Sequence, residues 1–184
     1  MATQSSAILP KAQPYPESLK KGSVIFRVAV YGFEDGRSGI ELEEWVVRTI
    51  QMPRGSKSSF GVKHSDVKPW IKKNVNLARR IKGTTWVNGA WAGKISSWNK
   101  ESFRKGPVLP DGFYTTELKA FKYAVKDCEK SVGDCEQYKQ EELDCKEIDQ
   151  EAIEDWDLEI EQYKNQLRLA KSRLTRFRNK KATV

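Results

Sequence analysis

The sequence predicts an α+β fold, a small antiparallel sheet domain followed by a long coiled-coil-like helix or helical hairpin. Three features carry the prediction. SVIFRVAVY, Ser23 to Tyr31, alternates as a strand, with Val24, Phe26, Val28 and Val30 on one face and Ile25, Arg27, Ala29 and Tyr31 on the other. From Thr116 to Lys180 the chain has no proline and one glycine, Gly133, while apolar residues recur at spacings of three and four. Between these regions GPVLPDG, Gly106 to Gly112, is a break made of turn residues. The chain then divides into a flexible arm over residues 1–20, a basic α+β domain over 21–110 and the helical region over 113–181.

Each element follows from local chemistry. Pro10, Pro14 and Pro16 among small polar residues make the start an extended or mobile arm. Gly32, Asp35-Gly36 and Gly39 are turn signals after the first strand, and IELEEWVVRTIQM, Ile40 to Met52, returns as the second strand of a hairpin. Both faces of that strand carry apolar residues, so a bulge near Glu43 or Glu44 could switch its buried face. PRGSKSSFGVKHSD, residues 53–66, is a loop by composition. A short helix is expected from about Pro69 to Lys82, burying Trp70, Val75 or Leu77, and Ile81. Short strands are expected around Thr84–Val87 and Trp91–Ser96, joined by a tight Asn88-Gly89 turn.

The helical region begins at Thr115 or Thr116, either of which can cap it. Leu118, Phe121, Val125, Cys128, Val132 and Cys135 follow a 3-4-3-4-3 spacing, which Cys145, Ile148 and Ala152 resume. The steps Ala152, Trp156, Ile160 form a stutter, after which Ile160, Tyr163, Leu167, Ala170, Leu174 and Phe177 restore the heptad. A continuous helix over this span would be about 100 Å long. A hairpin turning at SVGDCEQ also fits, with Gly133 as a stop and Asp134 as a new cap.

Charge is distributed by region. The net charge of +8 favours polyanions or acidic surfaces as partners. Residues 53–105 hold thirteen Lys or Arg against two acids, interleaved with tryptophans. Residues 134–161 hold thirteen acids against Lys139 and Lys146, and residues 164–181 hold eight bases and no acid. A parallel homodimer would oppose like charges, whereas an antiparallel pair centred near residue 160 would oppose unlike ones. The alternatives are that the acidic stretch folds back near the chain's own basic N-terminal region, or that it faces another protein.

Catalytic signatures are lacking. His64, the single histidine, sits in FGVKHSD directly beside Ser65 and Asp66, a succession that cannot assemble a triad. No Cys-x-x-Cys pair suggests zinc, and GFEDGRSG lacks the Gly-Lys-Ser/Thr ending of a phosphate loop. Cys128, Cys135 and Cys145 read as reduced, half-buried small hydrophobes. No cofactor, metal or membrane span is expected, no secretory signal opens the chain, and a cytoplasmic protein is the expectation.

The primary functional expectation is a non-enzymatic protein-interaction or regulatory module. It would bind a protein partner, or itself, through Leu118, Phe121, Val125, Cys128, Val132, Ile148, Trp156, Ile160, Tyr163, Leu167, Leu174 and Phe177. The alternative is DNA or RNA binding by the basic domain. Arg54, Lys57, Lys72, Lys73, Arg79, Arg80 and Lys82 would meet phosphates, and Trp86 and Trp91 would stack on bases.

Overall fold

The computed structural model describes residues 9, 11–33, 35–51, 73–81, 86–87, 90–91, 95–145 and 149–182. The loop expected at 53–66, Arg54, Lys57, His64, Lys72, Lys82 and Ile148 lie outside these residues, as do the side chains of Trp86 and Trp91. The fold is α+β. Strands β1 (Val24–Gly32), β2 (Ser38–Gln51), β3 (Asn74–Arg79) and β6 (Lys100–Arg104) form an antiparallel sheet in the order β1-β2-β3-β6. Strands β4 (Trp86–Val87) and β5 (Ala90–Trp91) form a separate ribbon, pairing Trp86 with Trp91 and Val87 with Ala90. Two long helices follow, α1 (Glu117–Leu143) and α2 (Gln150–Ala182).

Over residues 74–79 the expected helix is corrected to strand β3. NVNLAR alternates with period two, and Val75 and Leu77 are buried. The two asparagines, poor helix formers, sit at the alternate positions. Pairing with both β2 and β6 then decides the conformation, because a helix here would leave two ladders unmade.

A bulge does occur in β2, but four residues or so beyond the expected place. Val47 faces Leu77 and Ile50 faces Val75, so three steps along β2 match two along β3. Arg48 is the extra residue. The insertion keeps Trp45, Val47 and Ile50 directed at one core despite the phase change between them.

The chain separates into two compact units that cut across its linear order. One comprises Met1–Lys11, Arg27–Leu42 and Thr116–Val184, and the other Ala12–Phe26 and Glu43–Thr115. In the second, sheet-based unit, Leu19, Ile25, Trp45, Val47, Val75, Leu77, Leu109 and Phe113 form the core. The segment expected as a flexible arm is fixed there from Gln13 onward. Its Gln13 side chain donates to Thr115 Oγ1 (2.7 Å) and accepts from Thr115 N (3.1 Å). Tyr15 N donates to the Pro107 carbonyl (2.9 Å), Pro14 bridges Val108, and Leu19 is buried.

In the first, helical unit, α1 and α2 pack antiparallel and cover Val28, Val30, Ile40 and Leu42 of the β1–β2 hairpin. The hairpin loop uses Gly36 at φ 77, a left-handed conformation that glycine adopts without a Cβ penalty. The Tyr31 ring lies across Gly39, where a Cβ would come within 2.2 Å of it. Helix α1 runs straight through Gly133, so the hairpin turn is not at SVGDCEQ. The helix ends at Asp144, and the next begins where Asp149 Oδ1 accepts from Glu151 N (3.0 Å) and Ala152 N (3.2 Å). At the start of α1, Thr116 holds the cap position without a side-chain cap bond.

Candidate functional site

The helical stripe read from the sequence faces inward. Phe121, Val125, Cys128, Ala170 and Leu174 are buried together, with Leu118, Leu167 and Phe177 packed at their edge. Val132 and Ile160 are buried as well, and the Phe121 and Phe177 rings meet at 5.4 Å. Burial pushes the Cys128 thiol up to about 11, and burial followed by the nearby Glu159 carboxylate raises that of Cys135. Both are inert, reduced core groups, whereas Cys145 is exposed, contrary to the expectation of half-burial. Tyr163 is half-buried, and burial raises its hydroxyl.

The reversal of charge along the helices is met within one chain. Lys164 Nζ pairs with Glu136 Oε1 (2.8 Å), Lys171 Nζ with Glu129 Oε1 (3.1 Å), and Lys139 with Asp157. These pairs centre close to residue 150, so the antiparallel arrangement expected about residue 160 between two chains is realised about the α1–α2 turn. Lys126 and Lys171 both hydrogen-bond Glu129, and they hold its carboxyl below the usual glutamate value, the Lys126 bond first.

Towards that turn the inward packing thins. The Tyr138 and Trp156 rings stack at 5.5 Å, with Tyr138 49% exposed. Leu143, the last residue of α1, is 41% exposed, and Leu158 is 68% exposed. Leu158 lies two residues from buried Ile160, hence on nearly the opposite side of α2. These apolar side chains stand among the thirteen acids of residues 134–161.

Of the basic residues expected to meet phosphates, Lys73, Arg79 and Arg80 are among the described residues. Arg79 Nη1 pairs with Glu43 Oε1 (3.2 Å), and the indole of Trp45 donates to Glu43 Oε2 (2.9 Å). Glu43 is buried, so Arg79 neutralises a charge inside the fold; removing it would cost about 3–5 kcal/mol. Arg80 Nη1 pairs with Glu44 Oε2 (2.9 Å) at an exposed site. Lys73 is exposed just before β3.

Sequence reasoning missed a second polar surface in the sheet-based unit. An open groove of about 430 Å³ is lined by Arg48, Thr49, Asn76, Leu77, Lys100, Glu101 and Ser102. Asn76 Nδ2 donates to Thr49 Oγ1 (2.8 Å) across two strands. The signal that could have found it is the polar half of the alternation in NVNLAR and KESFR, visible only when both are read as strands.

No protein-family model, curated protein or solved structure matches the chain. Among the described residues, no group of three or more His, Cys, Asp or Glu could hold a metal ion. No described helix is long and apolar enough to cross a membrane.

Proposed function

We propose that the chain is a protein-interaction module whose contact surface is the turn end of the α1–α2 hairpin. The observation that supports this reading is the exposure of Tyr138, Leu143 and Leu158 within an acidic segment of an otherwise internally covered helical pair. Isolated exposed apolar residues are ordinary. Here three occur in the half of the helical pair nearer the turn, and the surrounding carboxylates supply an address for a basic partner. Burying them would drive association, while the acids would accelerate encounter and lend it salt dependence. The heptad residues Leu118 to Phe177 act as scaffold for this surface, since they are consumed between the helices and the β1–β2 hairpin.

The test is affinity capture with nuclease-treated extract, comparing wild type with Tyr138→Ser/Leu158→Ser. Both side chains are exposed, so circular dichroism should be unchanged. A stoichiometric basic protein retained by the wild type and lost from the variant is the expected result. Retention that is equal in both, or that disappears with nuclease alone, would remove this reading.

A further inference from the structure

We propose that the polar face of the sheet-based unit is a binding site for single-stranded nucleic acid. The register of β2, β3 and β6 arranges its side chains in rows. Thr49, Asn76 and Ser102 are cross-strand neighbours, and Gln51, Asn74 and Arg104 form the next row. Lys100 stands opposite Ala78, two residues along β3 from Asn76. The intervening rows, Ile50–Val75–Phe103 and Val47–Leu77, point to the core. Beyond the buried Val46–Ala78 pair, this face of the three strands therefore presents hydroxyls, amides and cations, and an open groove of about 430 Å³ lies on it.

Charge selects the class of ligand. Arg48 and Lys100 line the groove, Arg104 stands in the adjoining row, and the one acidic residue of the lining, Glu101, belongs to the Leu77 row with one carboxylate oxygen buried. Among the described residues none of these three cations is engaged in an ion pair, unlike Arg79 and Arg80. The bulge contributes directly, because Arg48 is the residue it leaves without a β3 partner, and it lines the groove. Cations spaced along a polar trough suit a phosphate backbone.

Trp98 selects the single strand. It lies in the short 3-10 turn Ser97–Asn99 that leads into β6, two residues before groove-lining Lys100, and it is 89% exposed. An indole held in solvent two residues from a groove-lining lysine can stack on an unpaired base, which a duplex keeps inside its own stack. Asn76 spends one amide hydrogen on Thr49, leaving its carbonyl oxygen, with Asn74 and Gln51, to meet base edges.

Fluorescence anisotropy with labelled polythymidine and polyuridine of about twenty nucleotides, a matching duplex, and heparin as competitor tests the assignment. Three neutralised phosphates predict a log–log salt slope of about −2, or roughly twentyfold weaker binding between about 50 and 200 mM salt. Arg48→Gln/Lys100→Gln should reduce that slope to about −0.7. Trp98→Ala, at a site too exposed to matter for folding, should weaken single-strand binding roughly five- to hundredfold. Arg173→Gln/Arg176→Gln removes the same charge from α2 and should change affinity less than about twofold. The proposal is overturned by absence of saturable binding at low salt, by equal losses from the two double variants, or by preference for duplex. Binding of heparin without binding of oligonucleotides would overturn it too, assigning the face to an anionic polysaccharide.

Discussion

Deleting Arg48 should leave the fold intact, which is unusual for a deletion inside a central strand. The reason lies in the β2–β3 register. Val47 faces Leu77, Thr49 faces Asn76 and Ile50 faces Val75. Without Arg48 the same three pairs form a regular ladder, Ile50 stays against the core, and Thr49 keeps the 2.8 Å bond from Asn76. The backbone bonds between Val47 and residues 22 and 23 lie before the deletion and are untouched. The expected change is within about 1 kcal/mol. If the strand beyond Val47 flipped instead, Ile50 would leave the core at a cost of about 1.5–3 kcal/mol. Burying an unpaired Thr49 hydroxyl would add about 1–3 kcal/mol. Deletion of Val46 is the contrasting case. It puts Trp45 and Glu43 out of phase with Val47, withdrawing a buried indole and separating Glu43 from Arg79, and should abolish folding of this unit. Urea titrations of the three proteins, followed by tryptophan fluorescence and far-ultraviolet circular dichroism, measure the difference. A loss for the Arg48 deletion comparable with that for the Val46 deletion would refute the bulge argument.

Two further outcomes concern the helical unit. Leu174→Ala empties a buried position beside Phe121 and Ala170, and denaturation should show a loss of about 2–5 kcal/mol, with a value under about 1 kcal/mol arguing that α2 does not pack there. The Glu129 carboxyl is held low by Lys126 and Lys171, so its contribution is present above the ordinary glutamate value of 4.5 and is lost as pH falls through its own lower value. Glu129→Gln should therefore flatten the acid side of the stability profile, and parallel profiles for variant and wild type would count against the pairing.

The fold was legible where one periodicity dominated. Ser23–Tyr31 and Ile40–Met52 match β1 and β2 apart from their ends, because strand-forming apolar residues fill both and glycines mark the turn, although the phase change at Arg48 shows only in the register. The helical stripe was legible for the same reason. Residues 69–82 were misread because Trp70, Val75 and Ile81 loosely imitate helical spacing, and the pairing of β3 on both sides is long-range information. The turn between the helices was misplaced because Gly133 is the more conspicuous signal. An added Cβ at Gly133 would meet nothing, so this glycine marks an open helix surface. Asp149 was the real cap, in a stretch already crowded with acids. Among the site residues, Arg79 looked like part of a basic cluster; only the structure brings the buried Glu43, thirty-six positions earlier, against it. Arg48, Asn76 and Lys100 gave no linear cluster at all, since three separate strands bring them together.

The two sequence patterns that first suggested association between chains, an apolar heptad and a reversal of charge, are both answered inside this one. A heptad specifies that a helix needs a partner of matching pattern; it does not specify whose helix. Helix α2 returns along α1, so Phe121 meets Phe177 and Glu129 meets Lys171. Pairing within the chain is favoured by the high effective concentration of the connected helix, whereas a second chain must lose translational freedom to bind. The same closure decides where binding energy remains. Side chains at the middle of the helical pair are used up, and among the described residues of the two helices the large apolar side chains left exposed are Tyr138, Leu143 and Leu158. On the function proposed above, a partner would read the helices at their end rather than along their seam.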